Sequence, residues 1–183
     1  TEDWSNGMSA TTTLKPLNSY KGDPTLKARL IHEIGEHEKF DMVMKGTYGQ
    51  GSGCDWKGCA IGCSLRSLNK IQHKAEDAHT GDHQRILDEL DWPLWLAFAE
   101  DNIFENLPDE LSKTWPRRIA EAIPVGEDLT NVLARLLHWQ LVGETYGVIH
   151  ATNDAEVKAV VQRMADLFAR SISGDEPTKA EWD

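Results

Sequence analysis

Residues 126–144 read GEDLTNVLARLLHWQLVGE, and the spacing of their apolar positions decides the fold class. Leu129, Val132, Leu133, Leu136, Leu137 and Leu141 recur at i, i+3, i+4 and i+7, the period of one face of an α-helix. A half-buried strand would alternate every second residue instead. Residues 152–172, TNDAEVKAVVQRMADLFARSI, repeat the rhythm with Val157, Val160, Val161, Met164, Leu167 and Phe168.

Working toward the N-terminus, LWLAFAEDNIFENL (94–107) follows Asp91 and Pro93 and is apolar over a broad face, so a central helix is expected there. HTGDHQRILDELD (79–91), PDELSKT (108–114) and PRRIAEAI (116–123) each predict a short helix. In GDPTLKARLIHEIGEHEKFDMVMKG (22–46), Asp23 is the expected N-cap, Pro24 the first helical residue and Gly46 the stop. TYGVIHA (145–151) is the one stretch with strand character, or else a connector. The pattern predicts an all-α chain, a single-domain, orthogonal or irregular helical bundle of six to seven helices with a Gly/Cys-rich loop. Residues 23–172 form the domain, 1–22 a loosely ordered N-terminal segment and 173–183 a polar tail.

Charge is unevenly spread. The net charge of the 183 residues is −11. Between Glu76 and Glu110 eleven acids face one base, Arg85, whereas from Lys45 to Lys74 five bases face Asp55 alone. So acidic a chain does not predict direct nucleic-acid binding, which draws on Lys and Arg at phosphates. The acidic 76–110 region reads either as a solvated helical face or as a surface for a basic protein partner. Apolar runs are too short to span a bilayer, so no membrane partner is expected. The N-terminal residues lack a basic start and an apolar centre, and three cysteines make no disulfide framework. Both point to a cytoplasmic protein with reduced thiols.

All three cysteines lie in GSGCDWKGCAIGCSL (51–65). Three chemistries fit. Cys59 and Cys63 with His79 and His83 approach a Cys2His2 spacing, for which zinc is the cofactor. Alternatively, Cys59 at a helix start, near Lys57, Arg66 and Lys70, is a candidate nucleophile, since the positive helix end favours a thiolate. His37, one turn from Glu33 and Asp41, is then the candidate base. The third reading is packing, with Cys59 and Cys63 as small apolar residues beside Leu65 and Leu68. Glu100, Asp101 and Glu105 interrupt the apolar 94–107 helix, Asp101 one turn before Glu105, and two such carboxylates suit a metal together with His37 or His83, or else ion pairs with Arg117 or Arg118.

KGTYGQGSGCDWKGCAIGCSL (45–65), LAFAEDNIFENLP (96–108) and EAIPVGEDL (121–129) resemble segments of a family of uncharacterised bacterial and phage proteins. That family carries a Gly-Thr-Tyr, a Gly-Cys-Ala-x-Gly-Cys element and a Glu-Asp-x-Ile-Phe-Glu-x-Leu-Pro stretch. The resemblance spans roughly residues 20–170 and brings no activity with it. It implies that Cys59 and Cys63 belong to the recurrent element and that Cys54 is particular to this chain. It also implies a role in binding a host or defence protein. Two functional expectations follow: a small Cys/His site for metal binding or thiol chemistry, or a non-enzymatic acidic interaction protein.

Overall fold

The computed structural model describes residues 16–183, and among them nine α-helices and no strand are found. The helices are α1 Pro24–Lys39, α2 Ala60–Ile71, α3 Gln84–Leu90, α4 Leu94–Asn106, α5 Asp109–Ser112, α6 Trp115–Ala122, α7 Val132–Val142, α8 Ala155–Ser173 and α9 Lys179–Trp182. The fold is all-α, as the periodicity predicts; the short helix expected at 108–114 is α5, and α9 adds a four-residue helix in the expected polar tail. None of the described helices is long and apolar enough to cross a membrane.

Local chemistry sets the helix boundaries. Asp23 caps α1 through Thr25 N–H at 2.7 Å, with Pro24 at the first position. The helix stops at Lys39 rather than near Gly46, because Phe40 closes the last turn and Asp41 turns left-handed at φ 54°. Asp154 caps α8 through Glu156 and Val157, and Gly174 ends it in the left-handed conformation. The 145–151 stretch holds a single 3-10 turn, Val148–His150, and is a connector.

The central helix is α2, not α4. Every residue of α2 except Lys70 is buried, whereas α4 buries Ala97, Glu100 and Phe104 and leaves Phe98 and Ile103 exposed. The α2 core face (Ile61, Leu65, Leu68) packs with Leu30 and Ile34 of α1 and with Ile86, Leu90, Trp92 and Phe104. Its polar face is buried because the 72–85 segment wraps over it and pairs with Arg66 and Asn69. Asn69 donates to the Glu76 and Ala78 carbonyls at 2.8 Å each and accepts from Arg85 at 2.8 Å. Arg66 lies over the Trp56 ring and binds Glu76 at 2.9 Å and the Gly53 carbonyl at 3.2 Å. Buried polar groups partnered in this way specify a single packing.

Of the N-terminal segment expected to be loose, residues 1–15 lie outside the described residues. Residues 16–22 are tied in: Tyr20 is fully buried against Trp92, its hydroxyl donates to the Ala120 carbonyl, and Ser19 N–H reaches Glu127 O at 3.0 Å. The polar tail forms α9, with Trp182 against Phe168 at 4.9 Å.

The leucine-rich 132–142 stretch is helical, yet none of its residues is buried. Its periodicity leads one to expect core leucines. Instead α7 packs chiefly on α8, while Val132 at its start packs against the core of the α1–α6 body.

Candidate metal centre at the N-terminus of α2

The 42–58 loop folds back on itself and delivers its backbone to the start of α2. Met44 N–H bonds to Gly58 O at 2.8 Å, Gly58 N–H to Met42 O at 3.0 Å, and Gln50 and Lys57 exchange both backbone bonds. Cys59 N–H then donates to Thr47 O at 2.7 Å. This strap lays the Tyr48 carbonyl directly on Gly62, where a Cβ would meet the oxygen at 2.0 Å. Gly58 is equally constrained: a Cβ there would lie 2.5 Å from the Trp56 ring. The two glycines of GCAIGC are thus close-approach positions.

Cys59 is the N-cap of α2, and its thiol faces α4. One turn of α4 separates Asp101 from Glu105, so both carboxylates project to one side. Donor atoms of Cys59, Asp101 and Glu105 all lie within 4.8 Å of one another. With Gly46, Thr47 and Tyr48 they line a cavity of about 210 Å³.

Each carboxylate is oriented by a neighbour. Glu105 accepts Gly46 N–H on both oxygens at 3.0 Å. The Asp101 Oδ2 atom accepts the Tyr48 hydroxyl at 3.0 Å and meets His83 Nε2 at 3.3 Å. The His83 ring is held between Phe98, stacked at 4.5 Å, and the edge of Tyr48 at 5.4 Å. Asp101 Oδ1 is buried and has no hydrogen-bond partner among the described residues.

The electrostatics oppose a free thiolate. Burial pushes the Cys59 thiol up to about 12; the N–H groups of Gly62 and Ile61 act downward, while Asp101 adds to the rise. Burial and the Asp101 hydrogen bond raise Tyr48 to about 12. Beside the site, Glu100 is fully buried and raised to about 8 by burial and then by Asp101. A bare Cys59 is therefore a protonated thiol beside two carboxylates.

The candidate residues part company here. Cys59 lies in the cluster, and His83 adjoins it through Asp101. Cys63 is buried one turn further along α2, its Sγ donating to Gly58 O at 3.5 Å, and its pKa is raised by burial. His79 is exposed in a left-handed turn and Cys54 is exposed in the loop, so neither joins the donor group. His37 lines another cavity, of about 140 Å³, with Arg66, Lys70 and Glu76, and is not brought to Cys59. Its flanking acids are occupied elsewhere: Glu33 binds Lys70 at 2.6 Å and Asp41 binds Lys113 at 2.7 Å. Arg117 pairs with Glu38 and Glu121 rather than with the α4 acids.

Sequence reasoning missed the strap residues Gly46, Thr47 and Tyr48 as part of the site. Their only signal was the Gly-Thr-Tyr next to the cysteines. Comparison with protein-family models, with curated proteins and with solved structures gives no match, so the residues themselves carry the functional reading.

Proposed function

We propose that Cys59, Asp101 and Glu105 bind one divalent transition-metal ion, zinc foremost, and leave a further coordination position open toward the 46–48 strap. The observation that carries this reading is the convergence of one sulfur and two carboxylate donors within 4.8 Å at the wall of a cavity. Three protein donors with a vacant fourth position is the ligand count of a catalytic rather than a structural zinc site. A cation also resolves the electrostatics, because a coordinating thiol is deprotonated outright and two neighbouring carboxylates are neutralised. Tyr48 and His83, both on Asp101 Oδ2, orient that ligand so that Oδ1 is left for the ion.

Nucleophilic thiol chemistry finds less support, because no imidazole joins the cluster and the thiol pKa is high. The acidic-surface reading is weakened in part, with Asp82, Asp88 and Glu110 still exposed. Within 76–110, Glu76 and Asp77 pair with Arg66, Glu89 with Arg85 and Asp109 with Lys45, while Glu100 is buried.

The test is metal analysis of untagged protein and zinc titration against a chromophoric chelator. One equivalent is expected, lost in Cys59→Ser, Asp101→Asn and Glu105→Gln. Cobalt substitution should give a thiolate-to-metal charge-transfer band that Cys59→Ser removes. No uptake, or uptake indifferent to all three substitutions, overturns the reading.

A further inference from the structure

We infer that the α7–α8 hairpin is a homodimerisation element, pairing with the same hairpin of a second copy to complete a four-helix bundle.

A helix of apolar periodicity is stable when its apolar stripe is covered. In this chain α7 is covered chiefly by α8, with Val132 at its start against the core, and incompletely, since no α7 residue is buried. On α8, Val161 and Ala165 are buried, but the bordering stripe Val157, Val160 and Met164, spaced i, i+3 and i+7, is 47 %, 60 % and 42 % exposed. On α7, Leu133, Leu136 and Trp139 are also exposed, Trp139 by 54 %. These six side chains leave on the order of 600 Å² uncovered, at the top of the range for the largest apolar patch of a monomer and approaching the ~800 Å² each partner gives to a standard interface.

Three features favour a second copy as the occupant. Two antiparallel helices supply half of a four-helix bundle, and a two-fold axis supplies the other half with the same apolar stripes facing each other. Self-apposition is not opposed by charge, because Arg135 is the only charged residue between Asp128 and Glu144. Beside the stripe, Arg163, Glu181 of α9 and the adjoining Asp183 carry both signs, so a copy running the opposite way can meet complementary rather than like charges. The exposed stripes include none of the residues that line the Cys59 cavity, so the inference is independent of the metal reading.

Sedimentation equilibrium on the full chain tests it. The expected mass is twice the 20.5 kDa of one chain, falling to a single chain in the Val160→Glu/Met164→Glu variant with its helical circular-dichroism signal retained. If that variant loses helix, Trp139→Lys, placed on the other helix, reads the same interface. A wild-type protein that stays monomeric at high micromolar concentration overturns the inference. So does a dimer that survives both folded variants, which would place the interface elsewhere.

Discussion

The carbonyl oxygen of Tyr48 occupies the space that a side chain on Gly62 would fill, at 2.0 Å from an ideal Cβ. The contact is backbone against backbone, so no rotamer change relieves it. Gly62→Ala must lift the 46–48 strap from α2 or shift the helix. The expected cost is about 3 kcal/mol, at the upper end for overpacking. Chemical denaturation measures it. Zinc uptake should fall with it, because the strap is also one wall of the cavity.

Tyr48→Phe separates geometry from folding. The hydroxyl–Asp101 bond is lost, while the ring stays against His83 and Gly81. Stability should drop by no more than about 1 kcal/mol. Metal affinity should weaken roughly tenfold, as expected when a partner that orients a ligand is removed. Paired denaturation and zinc titration distinguish the two effects.

His37 supplies an acid-sensitive term. Burial, then Arg66 and Lys70, lowers its pKa to about 4, so it folds as the neutral ring. The unfolded chain takes up the proton near the ordinary value of about 6.5. The stabilising contribution is therefore complete above about 6.5 and is lost as pH falls through 4, amounting to about 3 kcal/mol. His37→Phe keeps a ring against Trp56 and gives up only an Nδ1 that has no partner among the described residues. Its melting temperature should vary less than the wild type's between pH 6.5 and 4. Parallel slopes for the two proteins would refute the assignment.

Arg66→Lys should be costly although charge is kept. The guanidinium is 5 % exposed, stacks on Trp56 at 4.4 Å and holds both Glu76 and the Gly53 carbonyl. A lysine cannot reproduce the planar stack and the fork together. About 2 kcal/mol of destabilisation is expected, from the stack and the charged hydrogen bonds combined. Urea unfolding of the two proteins at one pH reads it.

Much of this architecture was legible in the sequence because it is local. Asp23 and Pro24 announced α1, and Asp101 and Glu105 announced a carboxylate pair on one helical face. What was not legible depended on who packs against whom. Apolar periodicity marks a face but not its neighbour. The leucines of α7 therefore looked like core, while the burial of α2 was hidden by Ser64, Arg66, Ser67 and Asn69. Those residues read as a solvated face until the 72–85 segment is seen to cover them, with Glu76, Ala78 and Arg85 partnering Arg66 and Asn69. The end of α1 was misplaced because Asp41 carries the left-handed turn that glycine usually takes. The counter-charges of Glu76, Asp77 and Asp109 in the acid-rich window, Arg66 and Lys45, lie outside it in sequence and could not be assigned from the window alone. Of the site, Cys59 and the two carboxylates could be named separately, but nothing in their spacing says that α2 sets the thiol against α4.

The burial of α2 also sets a hierarchy of opening. Its amides are enclosed by the strap, by α1 and α4 and by the 72–85 segment, so they should exchange with deuterium only through global unfolding. In a single, unpaired chain the amides of α7 and α8 need only the hairpin to fray. The chain should thus unfold as two cooperative units, with the outer one surrendering its protons first and the cysteine-bearing one keeping them to the end.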